Sequence, residues 1–194
     1  MSFEQMLEGY AQIGTEGHDL SAYRSLLEHA KENKDLVKLH AGFIPRTFAR
    51  QLMKEGEEAT IKVAAEKNYI PADLKSFEGS ELHYSMFESM ISGRDMYDDS
   101  LKPVDQFRKM FKAQLIKDVS MAHRVNELIK EKPDERWVVI AGFGHMKHYQ
   151  GVPERVLEAN KHLKEDSCLI VAYESDHAVD TYEEDESVFL KGIT

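Results

Sequence analysis

The segment that most restricts the fold is the run Trp137-Val138-Val139-Ile140-Ala141, because five consecutive apolar residues are typical of the middle strand of a parallel sheet. The pattern that follows predicts a helix over residues 154–163 and another strand over residues 168–172. Strand, helix and strand in this order indicate a right-handed parallel crossover. We therefore predict an α/β fold that is rich in helix, with a small, mostly parallel sheet flanked by helices.

Helical periodicity accounts for most of the remaining chain. The longest amphipathic helix is predicted over residues 103–131, and Gln114 and Asp118 fall along its apolar stripe. A carboxylate there must be paired, bound to metal, next to a cavity or able to reach solvent. Shorter helices are predicted at residues 1–11, 22–32, 46–55, 57–67 and 81–92, with a short strand at residues 36–40. Because no repeat or linker divides the chain, we expect one α/β domain over residues 1–175, followed by an acidic tail at 176–194.

The charge balance restricts the partners of this chain. It carries 35 acidic against 25 basic residues, a formal net charge of −10, and such a surface repels nucleic-acid phosphates. No apolar run approaches the roughly 20 residues that cross a bilayer, and the N-terminus has no targeting pattern. We expect a soluble globular protein without a transmembrane segment and without a nucleic-acid partner.

Candidate site residues cluster after the strand at 137–141. Ligands of open parallel sheets bind beyond the carboxyl ends of the strands. We therefore expect residues 40–46 and 142–153, which follow two predicted strands, to contain the binding site. The second segment is rich in groups that bind ligands: His145, Lys147, His148 and Tyr149, with Gly142 and Gly144 permitting a close approach of the backbone. A histidine at the end of a buried strand can bind metal, move protons or cap the sheet.

Two kinds of catalytic motif are missing from the sequence. There is no His-Glu-x-x-His helix with zinc spacing and no Gly-x-Ser-x-Gly nucleophile turn, while Cys168, the single cysteine, lies inside an apolar run. The residues alone predict a site around His145 and do not name its ligand.

Three motifs resemble a known family. The segment 137–145 ends in Gly-x-Gly-His, and Gly151-Val152-Pro153-Glu154-Arg155 follows it. The preceding helix contains Ala113-Gln114, then Asp118, then Met121-Ala122, and a weaker match is Gly42-Phe43-Ile44-Pro45-Arg46. Together these motifs resemble the ChaN-like haem-binding uptake proteins of the Tiki superfamily, over residues 36–170.

The resemblance implies a protein that binds iron-porphyrin without turnover. In bacterial relatives haem is held by a dimer, with tyrosine as the iron ligand and histidine and lysine near the propionates. Carried onto this chain, the resemblance gives His145 and Tyr149 as iron ligands. The wider haem-binding set that it implies is His145, Tyr149, Lys147, Tyr97, His148, Arg46, Gly142 and Gly144.

The N-terminal half departs from the family pattern. Family members begin with a strand that ends in Gly-Glu-x-His, whereas Gly14-Thr15-Glu16-Gly17-His18 follows no apolar strand and is interpreted as a connection between helices. Two alternatives therefore stay open: a degenerate fold that serves as a structural or accessory subunit, and a metal-dependent hydrolase. An incomplete sheet would expose an edge, so we expect a second copy or another protein to cover it. Relatives include lipid-anchored bacterial and plastid proteins, so an organellar location, or a membrane association through a partner, also stays open.

Overall fold

The computed structural model describes residues 2–12, 19–95 and 107–161, and all regular secondary structure in these ranges is helical. Short 3-10 turns at Leu20–Tyr23, Phe143–His145 and Lys147–Tyr149 accompany the helices. In chain order the α-helices are α1 (Phe3–Gln12), α2 (Arg24–Glu32), α3 (Arg46–Glu55), α4 (Glu57–Glu66), α5 (Glu81–Ser92), α6 (Arg108–Glu131) and α7 (Val152–Ala159).

Local signals fix the ends of α3 and α5, whose predicted bounds are confirmed. Pro45 immediately precedes α3, and Gly56 follows it with a φ of 90° that favours glycine. At α5 the Ser80 hydroxyl accepts a hydrogen bond from the backbone N–H of His83 at 3.0 Å. Gly93 ends the same helix in the left-handed conformation. The chain therefore enters and leaves both helices as the sequence predicts.

The long helix α6 organises the core. Its first half packs against α3 and α5 through Phe111, Leu115 and Ile116, which are nearly inaccessible to solvent. Its second half packs against α7, where Met121, Ala122 and Val125 meet Val152 and Val156. Because one rigid helix contacts both neighbours, it holds residues from α5 and α7 in a fixed relation to each other.

The predicted parallel sheet is wrong for the described part of the chain, which contains no strand. Residues 36–40 and 137–141 are irregular there, with Leu36 87% and Val138 86% exposed. A β-strand needs a neighbour for its backbone groups. Leu36 and Val37 donate only to the carbonyl of nearby Asn33, and no backbone hydrogen bond joins either segment to a described segment distant in sequence. The rings of His40 and Trp137 do meet, with centroids 5.5 Å apart, so the two segments approach each other without pairing.

Other predictions concern residues outside this part of the chain. The strand at 168–172, the acidic tail at 176–194 and the end of the domain at 175 all lie there, and so does Tyr97. Among the described helices, none is long and apolar enough to cross a membrane.

Candidate functional site

Four polar side chains meet between α5, α6 and α7, and we call them the polar centre: His83, Asp118, His145 and Glu154. They come from α5, from α6, from the 3-10 turn Phe143–His145 and from the first turn of α7. Asp118 and His83 are buried, with 0% and 2% of their side chains exposed, whereas His145 keeps 14%. Ionisable groups so deeply buried need partners, and here they are one another's partners.

The closest contact in the polar centre joins Asp118 to His145. Oδ1 of Asp118 lies 2.5 Å from Nδ1 of His145. The amide nitrogen of Gln114 is also 2.9 Å from this Nδ1, and it donates to the carbonyl of Gly144 at 2.9 Å. One ring nitrogen cannot both donate to the carboxylate and accept from the amide. Because Oδ1 of Asp118 is the nearer partner of this nitrogen and a carboxylate is the stronger acceptor, we assign the proton to Nδ1, which donates it to Asp118.

His83 lies between two carboxylates. Its Nε2 is 3.7 Å from Oδ2 of Asp118, and its Nδ1 is 3.6 Å from Oε1 of Glu154. The ring stands edge-on to Phe111, with centroids 4.9 Å apart. Both nitrogens of His83 and Oδ2 of Asp118 are buried and lack a hydrogen-bond partner among the described residues. The centre therefore keeps unused hydrogen-bonding capacity.

The two carboxylates of the centre have pKa values shifted in opposite directions. Burial raises the pKa of Asp118, and the neighbouring His145, His83 and Arg155 oppose this shift without cancelling it. Burial also acts to raise the pKa of Glu154, but His83, the charge of Arg155 and the backbone N–H of Gly151 together lower it. No group of three His, Cys, Asp or Glu side chains in the described ranges is arranged to hold a metal ion.

Gly151 determines how the chain passes the polar centre. Its φ of 76° and ψ of −113° suit glycine, and a Cβ atom there would lie 2.5 Å from the carbonyl oxygen of His145. Its backbone N–H donates to Oε1 of Glu154 at 3.1 Å. The glycine therefore lets the 3-10 turns lie directly against the start of α7, with His145 and Glu154 on the same centre.

A groove of about 680 Å³ runs between α3, α5 and α6. Apolar side chains contribute most of its lining, and four cations from α3 and α6 join them. Among the described residues, no acidic side chain lines it, although the chain as a whole has a net charge of −10. Its apolar residues are Ala49, Met53, Phe87, Met90, Ile91, Met110 and Ala113, and its cations are Arg46, Arg50, Lys54 and Lys117.

The groove and the polar centre are neighbours. Gln114 lines the groove and lies 2.9 Å from Nδ1 of His145. The sulfur of Met90, another lining residue, would lie 2.9 Å from a Cβ atom on Gly144. Nζ of Lys117 lies 5.1 Å from the centroid of the Phe43 ring, which stands edge-on to the imidazole of His145 at 6.1 Å. One end of the groove is therefore in contact with the surroundings of His145.

The structure separates the residues that sequence analysis grouped into one site. His145 belongs to the polar centre, and Arg46 lines the groove. Nζ of Lys147 stacks 4.9 Å from the centroid of the Phe143 ring. Neither a hydrogen bond nor a ring contact joins Tyr149 to His145 in the described chain.

The remaining predicted residues are small or lie in the turns. Gly142 and Gly144 flank the turn of His145, and a Cβ atom on Gly142 would lie 3.6 Å from that ring. His148 and Tyr149 are exposed, and both have positive φ values in the second 3-10 turn.

Two members of the polar centre were missed as site residues by the sequence analysis. His83 lies four residues before Phe87, so helical spacing places both on one face of α5, and this signal was available. The apolar residues of this helix alone would predict an inward Leu82, which is 51% exposed. Glu154 was noticed only as part of a motif, because nothing local shows that the start of α7 returns to α5.

A family model described as "Haem-binding uptake, Tiki superfamily, ChaN" matches residues 3–156, which include the polar centre and every described residue that lines the groove. Comparison with curated proteins and with solved structures gives no match. Because the match covers well over half of the chain, this protein belongs to the haem-binding uptake family of the Tiki superfamily that is described by the name ChaN.

Proposed function

We propose that this protein binds haem in the groove between α3, α5 and α6 and has no turnover of its own. The observation that carries the proposal is a contrast: the described lining of the groove is apolar with four cations and no acid, whereas the chain has a net charge of −10. Haem has matching chemistry, since its macrocycle is apolar and flat and its two propionates are anionic.

The positions of the cations support a role for them in binding the ligand. Arg46, Arg50 and Lys54 are exposed and succeed one another at helical spacing along one face of α3. They form no ion pair within the described residues, so no described carboxylate neutralises their charges. Arg46 also stands in the first turn of α3, where the helix dipole disfavours a cation. These three exposed cations have no ion-pair partner among the described residues, and the helix dipole disfavours one of them. We therefore expect them to bind an anionic ligand.

The lining chemistry favours binding over catalysis. The described lining of the groove consists of alkyl, thioether, phenyl, amide and cationic groups, and no described Ser, Cys, His, Asp or Glu side chain belongs to it. Of the two predicted iron ligands, His145 is the better supported, because Gln114 connects it to the groove. We therefore retain a carrier role, with His145 as a neighbour of the groove that contacts it through Gln114.

An absorbance titration with haemin and with its dimethyl ester tests this proposal. We expect haemin to give a saturable, shifted Soret band, and the ester to bind at least about 10-fold more weakly because it has lost both carboxylates. Equal affinity for the two compounds would contradict recognition by the cations.

Absence of any saturable band would reject haem binding altogether. The accessory-subunit alternative would then be favoured, since exposed apolar residues such as Leu36 and Val138 offer a surface to a partner, either a second copy or another protein.

A further inference from the structure

The cations of the groove outnumber the carboxylates of haem. Three of them, Arg46, Arg50 and Lys54, stand four residues apart on α3, so they follow one edge of the groove for about 12 Å. Lys117 adds a fourth cation from α6. Haem has two propionates, and each can neutralise one charge. At least one cation of α3 is therefore left for a further anionic group when haem is bound.

Two acidic side chains close to this row of cations have partners elsewhere. Oε2 of Glu55 accepts a hydrogen bond from the side-chain amide of Gln51 at 2.9 Å. Oε2 of Glu57 lies 3.2 Å from Nζ of Lys112, which does not belong to the described lining of the groove. No described carboxylate therefore pairs with the α3 row, although both acidic residues follow Lys54 within three positions.

In the described groove, charge is confined to the sides that α3 and α6 contribute. The lining residues from α5 are Phe87, Met90 and Ile91, which are all apolar, and Met90 is 51% exposed. A ligand that fits this division has an apolar body against α5 and carboxylates that face α3 and α6. A tetrapyrrole with carboxylates on several of its pyrrole rings has this form.

We propose that the groove binds tetrapyrroles that carry more than two carboxylates, and that Lys54 binds a carboxylate beyond the two of haem. This inference rests on the proposed function and deepens it by naming the ligand class. An ammonium group and a carboxylate form a charge-assisted hydrogen bond. The net charge of the chain, −10, opposes every added carboxylate, so tighter binding of a more acidic ligand requires the local cations of the groove.

Fluorescence titration of the full chain with two zinc porphyrins tests the ligand class. Zinc coproporphyrin III carries propionates at the two positions where zinc protoporphyrin IX carries vinyl groups, and the two molecules are otherwise the same. We expect the coproporphyrin complex to bind about tenfold more tightly, and added salt to reduce this difference. Equal or weaker binding of the coproporphyrin complex would overturn the inference.

Zinc mesoporphyrin IX is the control ligand, because it carries ethyl groups at the same two positions. We expect it to bind with the affinity of zinc protoporphyrin. If it gains as much affinity as the coproporphyrin complex, loss of the vinyl groups explains the gain and the inference fails.

The variant Lys54→Gln tests the assigned residue, and Lys62→Gln is the matched control at an exposed lysine outside the described lining. We expect Lys54→Gln to bind zinc coproporphyrin about tenfold more weakly than the unmodified protein, and zinc protoporphyrin within about threefold. Lys62→Gln is expected to bind both as the unmodified protein does. Equal losses for the two porphyrins in Lys54→Gln would overturn the inference, because Lys54 would then not discriminate between them.

The same titrations separate this inference from the proposed function. If haemin and both zinc porphyrins bind saturably with equal affinity, the inference fails and the proposed function stands. If zinc coproporphyrin binds saturably and haemin does not, haem binding fails while the preference for more carboxylates stands. If none of the three binds saturably, both fail.

Discussion

Reversing two charges on α3, with Arg46→Glu and Arg50→Glu together, is expected to weaken haemin binding by about 100-fold. Each reversal replaces an attraction for the propionates by a repulsion, which we take as about 1.4 kcal/mol at an exposed site, or about tenfold in affinity. The variant is expected to fold, because neither arginine has an ion-pair partner in the described structure. Glutamate at position 46 is also favoured by the dipole of α3. Absorbance titration at two salt concentrations measures the effect, which salt reduces.

The control is the double variant Lys62→Glu with Lys75→Glu, which changes the net charge equally at exposed lysines outside the groove. We expect its haemin affinity to stay within about threefold of the unmodified protein, because screening limits the reach of a distant surface charge. Equal losses in both variants would indicate that overall charge, and not the groove, determines binding.

Gly151→Ala is expected to lower the free energy of unfolding by about 3 kcal/mol. A side chain is strained at the φ of 76° found there, and such conformations cost about 1–3 kcal/mol each. The new Cβ atom would also lie 2.5 Å from the carbonyl oxygen of His145, a backbone atom that cannot rotate away. Urea denaturation measures the change, and we expect the haemin complex to lose its native Soret position as well, since His145 must move.

Gly142→Ala is the matched control for this substitution. Gly142 has a φ of −61° and a ψ of 145°, which alanine adopts readily, and its Cβ atom would make an ordinary 3.6 Å contact with His145. We expect its stability to change by less than about 1 kcal/mol, in the stabilising direction if at all. A Gly151→Ala variant as stable as Gly142→Ala would contradict our account of the turn.

The helices could be predicted closely because their signals are local. The bounds of α3 and α5 follow from Pro45, Gly56, Ser80 and Gly93, each of which acts within one turn of its own position. The strands could not be predicted in this way. Residues 137–141 are apolar enough for a buried strand, but a strand exists only where another segment supplies backbone partners, and none does so in the described structure.

The candidate site could be predicted only in part, because only some of its residues stand in patterns that are local in the sequence. His145 follows from the Gly-x-Gly-His motif, and the need of Asp118 for a partner follows from its place on the apolar stripe of α6. Their pairing joins two residues that are 27 positions apart, and no local pattern shows this. The groove is likewise formed by three helices, α3, α5 and α6, whose packing no local pattern predicts. Of its four cations, only Arg46 was identified from the sequence.

Methyl NMR of the nine methionines tests the central claim most directly, namely that the tetrapyrrole occupies the groove. The protein labelled with ¹³C at the methionine methyl groups is titrated with zinc protoporphyrin, whose ring current shifts nearby signals. We expect large shifts for Met53, Met90 and Met110, which line the groove, and almost none for Met121, which packs between α6 and α7. Shifts that spare the three groove methionines would contradict the account.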